Sequence, residues 1–436
     1  MARGRGGWAL SGAGSTEDLL RDLAPQVVGI LTRRSGDFHA SEDAVQEALV
    51  AAHSTWPRDG TPDHPRGWLL AVASRRLVDE QRSVAARRRR ELSWAATETD
   101  GAQVIQHDDS LTVLLMCCHP VLSPASAVAL TLRAVGGLST AEIAAAYLVP
   151  EPTMAQRISR AKRTLRDSGE RFALPRPDVL GERVHRACSV LYLLHNEGYA
   201  ATRGCDLTRP DRSSEAIRLA RLTHRLLPED AEVTSLLALM LLLEARRPAR
   251  VTASGDLVPL AEQDRSRWDH TLVAEGTALL DSTLASGRPA GTYRLQAAIA
   301  AVHDRAPTAE ATDWPQVLAL YGMLEQVAPS PFVTLARAVA LAEAQGPDAA
   351  LPLLDALEPA LGGHLRWHAV SAHVAELRGD RQEARRHHLA AAARATNLAE
   401  QRFLTRRAAE LGGQAPGCPT RHPGGVAPAG DATLDP

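Results

Sequence analysis

Four side chains in the segment TMAQRISRAKRTLR have the chemistry to read base-pair edges. Thr153, Gln156, Arg160 and Arg163 recur at spacings of three and four, so a helix presents them on one face, with Arg157 and Lys162 on its flanks. Arginine matches the two acceptors of guanine bidentately, and glutamine matches the donor and acceptor of adenine. Flanking cations suit backbone phosphates. On the other side Met154, Ile158, Ala161 and Leu165 fall at i, i+4, i+7 and i+11, the stripe of a helix packed on a core. Taken alone, this helix fits a solvated basic surface equally well.

The residues before it supply the positioning. Ser139 and Glu142 form an S-x-x-E capping box that opens a short helix with Ile143, Ala144, Tyr147 and Leu148 on its apolar face. VPEP ends that helix, and Pro152 suits the first turn of the next. Helix, tight turn and basic helix together outline a helix-turn-helix. The chain as a whole is not basic: its net charge is −2. The positive charge is local. Residues 152–171 hold six cations against two acids, and residues 64–91 hold eight arginines against three acids. Two basic patches in a balanced chain predict small nucleic-acid-binding modules whose affinity depends on salt.

Other clusters carry less chemistry. CCH at 117–119 lies in the apolar run LTVLLMCCHPVL with no second pair at zinc spacing, so it reads as buried thiols. His364 and His368 are one turn apart, with His373, His387 and His388 nearby, but no HExxH accompanies them. HNEGY (195–199) and EQDRSRWD (262–269) offer His195, Glu197 and Asp264 for acid–base work, or else buried polar networks that join helices. Without a nucleophile or phosphate loop beside them, the structural reading is favoured. No catalytic residue, metal or cofactor is expected. Lys162 is the only lysine, which removes Schiff-base and phosphate-loop lysine chemistry from every other position.

Ala, Leu and Arg dominate the 436 residues, and the expected fold is all-α. Three helical patterns fill residues 15–92: EDLLRDLAPQVVGILTRR, ASEDAVQEALVAAHSTW with Ser41 as its expected N-cap, and PRGWLLAVASRRLVDEQRS opened by Pro65. Residues 1–14 read as a flexible start without the apolar core of a signal peptide. Residues 93–109 read as a linker, 110–172 as the helix-turn-helix module, and 173–412 as a larger helical region. Near 315–411 a loose repeat places Gly346 and Gly379 33 positions apart, the period of tetratricopeptide-type helix pairs. The Gly/Pro/Ala-rich residues 413–436 read as a disordered tail. The greasy run at 233–243 is too short to span a bilayer and predicts a buried helix. Five scattered cysteines without a framework fit a reduced, cytoplasmic protein.

In order and spacing, SEDAVQEALVAAHSTWP, HPRGWLLAVASRRLVDEQR and GLSTAEIAAAYLVPEPTMAQRISRAKRTLR resemble regions 2 and 4 of bacterial sigma factors. The absence of the regions between them marks the extracytoplasmic-function group. LYLLHNEGYAAT, EAIRLARLTHRLLP and AEQDRSRWDHTLVAEG resemble the helical extension of a subgroup with a tetratricopeptide-like C-terminus.

The resemblance implies two sigma modules that bind core RNA polymerase and direct it to a promoter. Asp43, Gln46 and Glu47 would dock on the β′ clamp helices, an acidic and amide-bearing face on a basic partner. Arg66, Arg75, Arg76, Asp79 and Arg82 would serve the downstream promoter element, with the arginine run at 87–90 on phosphates. Residues 57–64 would hold a flipped base, although His64 stands where the family often has Asn. Thr153, Gln156, Arg157, Arg160, Lys162 and Arg163 would read the upstream element, and region 4 would hold the β flap by its apolar concave side. Met154-Ala155-Gln156 departs from the usual valine-lysine-serine, so no base preference carries over. The C-terminal region would regulate the modules through intramolecular contact. Two alternatives stay open: a polymerase-independent helix-turn-helix regulator, and a sigma module fused to a sensing or enzymatic helical domain.

Overall fold

The computed structural model describes residues 16–89, 109–147, 149–199, 210–252, 254–284, 287 and 289–413. Among these residues all regular structure is helical apart from isolated bridge residues, of which Val251 pairs with Leu257. The chain divides into two compact units between Val190 and Leu191.

The first unit starts with α1 (Thr16–Ser35), α2 (Phe38–Asp59) and α3 (Pro65–Arg89), which pack on one another. Leu20, Val27, Val28 and Leu31 are buried on α1, Val45, Ala48, Leu49, Ala52 and Trp56 on α2, and Leu69, Ala73 and Leu77 on α3. A fully buried leucine such as Leu31 or Leu69 contributes about 1.5–3 kcal/mol relative to exposure. α3 begins at Pro65 as the sequence predicts. The cap of α2 lies four residues earlier than expected, at Asp37 in place of Ser41. Asp37 caps it by accepting from the Ala40 amide at 3.0 Å. Ser41 is instead buried in the first turn, its hydroxyl 2.9 Å from that of Ser35. Gly36, at φ 72°, makes the turn that brings Asp37 into the capping position.

α4 (Ser110–Cys117), α5 (Pro124–Ala134), α6 (Thr140–Ala146) and α7 (Glu151–Asp167) follow. α4 packs on α1 as well as on α5, so the three-helix and four-helix parts share a core. A side chain at Gly29 of α1 would collide with Asp109, which shows how closely the start of α4 approaches. α8 (Pro177–Tyr199) contains the division between the units; its first half is tied to the first unit by Arg186, which donates to the Leu122 carbonyl at 2.9 Å.

The second unit continues through α9 (Pro210–Leu226), α10 (Ala231–Ala245), α11 (His270–Leu284), α12 (Thr292–Arg305), α13 (Trp314–Val327), α14 (Pro331–Gln345), α15 (Leu351–Leu361), α16 (Leu365–Leu377), α17 (Arg381–Ala392) and α18 (Leu398–Leu411). Every residue of α10 from Val233 to Ala245 is buried, because α9, α11 and α12 all pack on it. This accounts for the greasy run as a central helix, and no helix among the described residues is long and apolar enough to cross a membrane. Gly276 lets α11 lie close: a Cβ there would stand 2.9 Å from Leu242 Cγ.

From α12 onward the cores are serial. Leu295, Ile299, Val317, Tyr321, Leu324 and Val333 form one, and Leu335, Leu354, Leu357, Leu361, Trp367 and Val374 form the next. Each helix buries its face mainly against its sequence neighbours, the organisation of a repeat array. The two glycines aligned by the repeat play the same part: Gly346 and Gly379 follow α14 and α16 at φ 98° and 76°. Residues 1–15, 90–108 and 414–436, which hold most of the expected flexible start, linker and tail, lie outside the described residues.

Candidate functional site

The capping box is formed. The Ser139 amide donates to Glu142 Oε2 at 2.7 Å, and the Glu142 amide donates to Ser139 Oγ at 3.2 Å. Ile143 and Ala144 are buried, Tyr147 is half-buried, and Leu148 lies outside the described residues. In α7 the stripe of Met154, Ile158, Ala161 and Leu165 is buried. Thr153, Gln156, Arg160 and Arg163 are all exposed, and Arg157 is half-buried. A glutamine and two arginines therefore stand free on one face of a helix held from behind.

Lys162 does not belong to that face. Its side chain is 3% exposed and forms ion pairs with Glu42 and, at 2.6 Å, with Asp43 on α2. The expectation of an exposed flank fails because α2 lies against this side of α7. The cations of residues 152–171 that remain outside this pairing are five arginines against two acids.

On α3, Arg75, Arg76 and Asp79 are exposed, and Arg75 and Asp79 share a face by their i, i+4 spacing. Arg66 is half-buried and donates to Gln26 Oε1 at 3.4 Å. The Arg82 side chain and those of the arginine run at 87–90 lie outside the described residues. The loop before α3 starts at Gly60, at φ 88°, and ends at the exposed His64. Beneath it Trp56 is buried and meets Trp68 edge to face at 5.5 Å, so Trp56 belongs to the core.

The three expected polymerase-facing residues of α2 separate. Glu47 is exposed and 3.4 Å from Arg76. Asp43 is half-exposed between Lys162 and His39, the latter at 3.2 Å. Gln46 is buried and donates to the Arg133 carbonyl at 2.9 Å. Its expected surface position fails because the end of α5 approaches α2 there. Sequence reasoning missed Glu42 and Arg133: Glu42 has no exposed side-chain surface and lies 3.0 Å from Arg133 Nε. The acid in SEDAVQEA was visible, but nothing local announced a partner in α5.

The remaining clusters have structural partners. Burial raises both the Cys117 and Cys118 thiols, Cys118 to about 12, which keeps them protonated. No group of three metal-ligating side chains occurs among the described residues. In EQDRSRWD, Asp264 caps a short turn through the Ser266 amide at 3.0 Å. Gln263 accepts from Trp268 Nε1 at 3.2 Å, and Arg246 and Arg265 both stand over the Trp268 ring. Arg246 also forms a buried ion pair with Asp304 at 2.7 Å. In HNEGY, His195 is fully buried and stacks on Tyr199, and burial pushes its ring down to about 4. A cavity of about 50 Å³ lies among α10, α12, α13 and α14, room for a few waters.

An all-α chain with a capped helix-turn-helix, a second basic helix and a separate helical repeat array defines a multi-module DNA-binding protein. The chain matches the family Sigma-70 region 2 over residues 19–89 and the family Sigma-70, region 4 over residues 112–165. Residues 183–284 match a family of unknown function, DUF6596. A Rhizobium meliloti protein described only as uncharacterized is 38% identical over 395 residues, 87% of this chain and 92% of that protein. The probable ECF RNA polymerase sigma factor SigI of Mycobacterium tuberculosis is 31% identical over 150 residues, 33% of this chain and 51% of that protein. The ECF RNA polymerase sigma factor SigE of Mycolicibacterium smegmatis is 29% identical over 162 residues, 35% of this chain and 61% of that protein. No solved structure matches the chain. The chain belongs to the extracytoplasmic-function-like sigma factors with a long C-terminal helical extension. Its partners are accordingly RNA polymerase and promoter DNA, and its role is in transcription initiation.

Proposed function

We propose that this sigma factor reads the upstream promoter element with Thr153, Gln156, Arg157, Arg160 and Arg163 of α7. Arg66, Arg75, Arg76, Asp79 and Arg82 of α3 serve the downstream element. The face of α2 that carries Asp43, Gln46 and Glu47, with Gln46 covered by region 4 in the free chain, docks on the β′ clamp helices of core polymerase, and the apolar side of region 4 takes the β flap. The observation that carries this reading is the free glutamine–arginine face of α7, backed by a buried stripe and a formed capping box. The helical extension, covalently attached and therefore present at high effective concentration, regulates these modules in the cytoplasm.

Run-off transcription with core polymerase tests both parts. The full chain is compared with a truncation after Tyr199, which keeps α8 whole. A promoter-dependent transcript from the full chain is expected, and none from either form would defeat the assignment of the two helices. Equal transcript yields from both forms would defeat regulation by the extension and leave the sigma role standing.

A further inference from the structure

The contact between α2 and region 4 is charged where a permanent core contact would be apolar. Glu42, with no exposed side-chain surface, meets Arg133 Nε at 3.0 Å and also the Lys162 ammonium. Lys162 bridges on to Asp43 at 2.6 Å. Gln46 donates to the Arg133 carbonyl at 2.9 Å, and Arg133 is steadied by donating to Thr140 Oγ1 at 2.8 Å. A further tie joins α1 to the start of α4, with Arg33 Nε 2.8 Å from Asp109 Oδ2.

We infer that Arg133 and Lys162 are an internal latch: they offer α2 the basic surface that polymerase would offer it, and so close region 4 over the polymerase-docking face. The inference rests on the reading of α2 given above. Two of the three docking residues are engaged by the latch, Asp43 by Lys162 and Gln46 by the Arg133 backbone, while Glu47 stays exposed as a first point of contact. A desolvated ion pair is held nearly in balance, since attraction between the charges is offset by their lost hydration. A competing basic surface can therefore replace it with little net change, which an apolar contact of the same area would resist.

The single lysine makes the latch testable in the native chain. A water-soluble carbodiimide joins a carboxylate to an amine in direct contact, and the only side-chain amine belongs to Lys162. Treatment of the free full-length chain is expected to join Lys162 to Asp43 or Glu42, identified by peptide mass. Prior binding of core polymerase should suppress the joining. The joined chain should lose polymerase affinity by about tenfold or more, because its competent form is no longer populated. Lys162→Arg, treated in parallel, keeps the charge, cannot be joined, and should retain binding. Absence of joining at both carboxylates would overturn the latch, as would a joined chain that binds polymerase like the untreated one. An untreated chain that binds no polymerase defeats the docking reading and the latch together, so the two failures are distinct.

Discussion

Lys162 of α7 and Glu42 of α2 form an ion pair that solvent barely reaches, with 3% and 0% of their side-chain surfaces exposed. One of the six candidate DNA contacts of region 4 is thereby a residue of the protein interior. Replacing Lys162 by Met leaves Glu42 with Arg133 alone, and breaking a buried pair costs about 3–5 kcal/mol. The lower end is expected, because Arg133 remains. Urea unfolding of the full chain measures it, and the double variant Glu42→Leu with Lys162→Met should recover part of the loss. A single-variant loss below about 1 kcal/mol would mean that water reaches the pair.

The exposed face of α7 divides into reading and holding positions. Arg160→Ala should weaken promoter binding by about 1–3 kcal/mol and relax the preference at one base pair. Arg163→Ala, at the far end of the face, should weaken binding evenly across sequences and lower the salt dependence by about one counterion. Titration of labelled promoter with holoenzyme at several salt concentrations separates the two. The same sequence-independent loss from both variants would place Arg160 on phosphate.

The capping box fixes the start of α6 and hence the angle at which α7 is presented. Ser139→Ala should cost about 0.5–2 kcal/mol of stability. Glu142→Gln, which can still reach the Ser139 amide, should cost less than Glu142→Ala. The midpoint of chemical denaturation checks this order, and equal losses from Gln and Ala would show that the reciprocal bond adds nothing.

Acid should weaken the second unit. Burial holds His195 at about 4, and burial with the nearby Arg246 and Arg265 holds His303 at about 3. Both rings are therefore neutral in the folded chain at pH values where the unfolded chain, near about 6.5, takes up protons. Their contribution is fully present above about pH 6.5 and is lost as pH falls toward 4 for His195, where it is of the order of 3 kcal/mol, and toward 3 for His303. His195→Phe should flatten the fall of the denaturation midpoint between pH 6.5 and 4. An unchanged slope would show that His195 does not remain neutral when folded.

What the chain states locally can be read locally. The capping box of Ser139 and Glu142, the buried stripe of α7, Pro65 at the start of α3 and the buried run of α10 all follow from spacing, because a helix places neighbours three and four apart on one face and caps its own ends. The cap of α2 was less legible, since Asp37 and Ser41 both suit an N-cap and only the turn at Gly36 chose between them. Lys162 and Gln46 were beyond reach of the sequence. Each lies at a position that periodicity leaves to solvent, and each is buried by a helix that arrives from far along the chain. Helical spacing determined which side chains share a face; only the packing of region 4 on α2 decided which of those faces meets water and which meets an opposite charge.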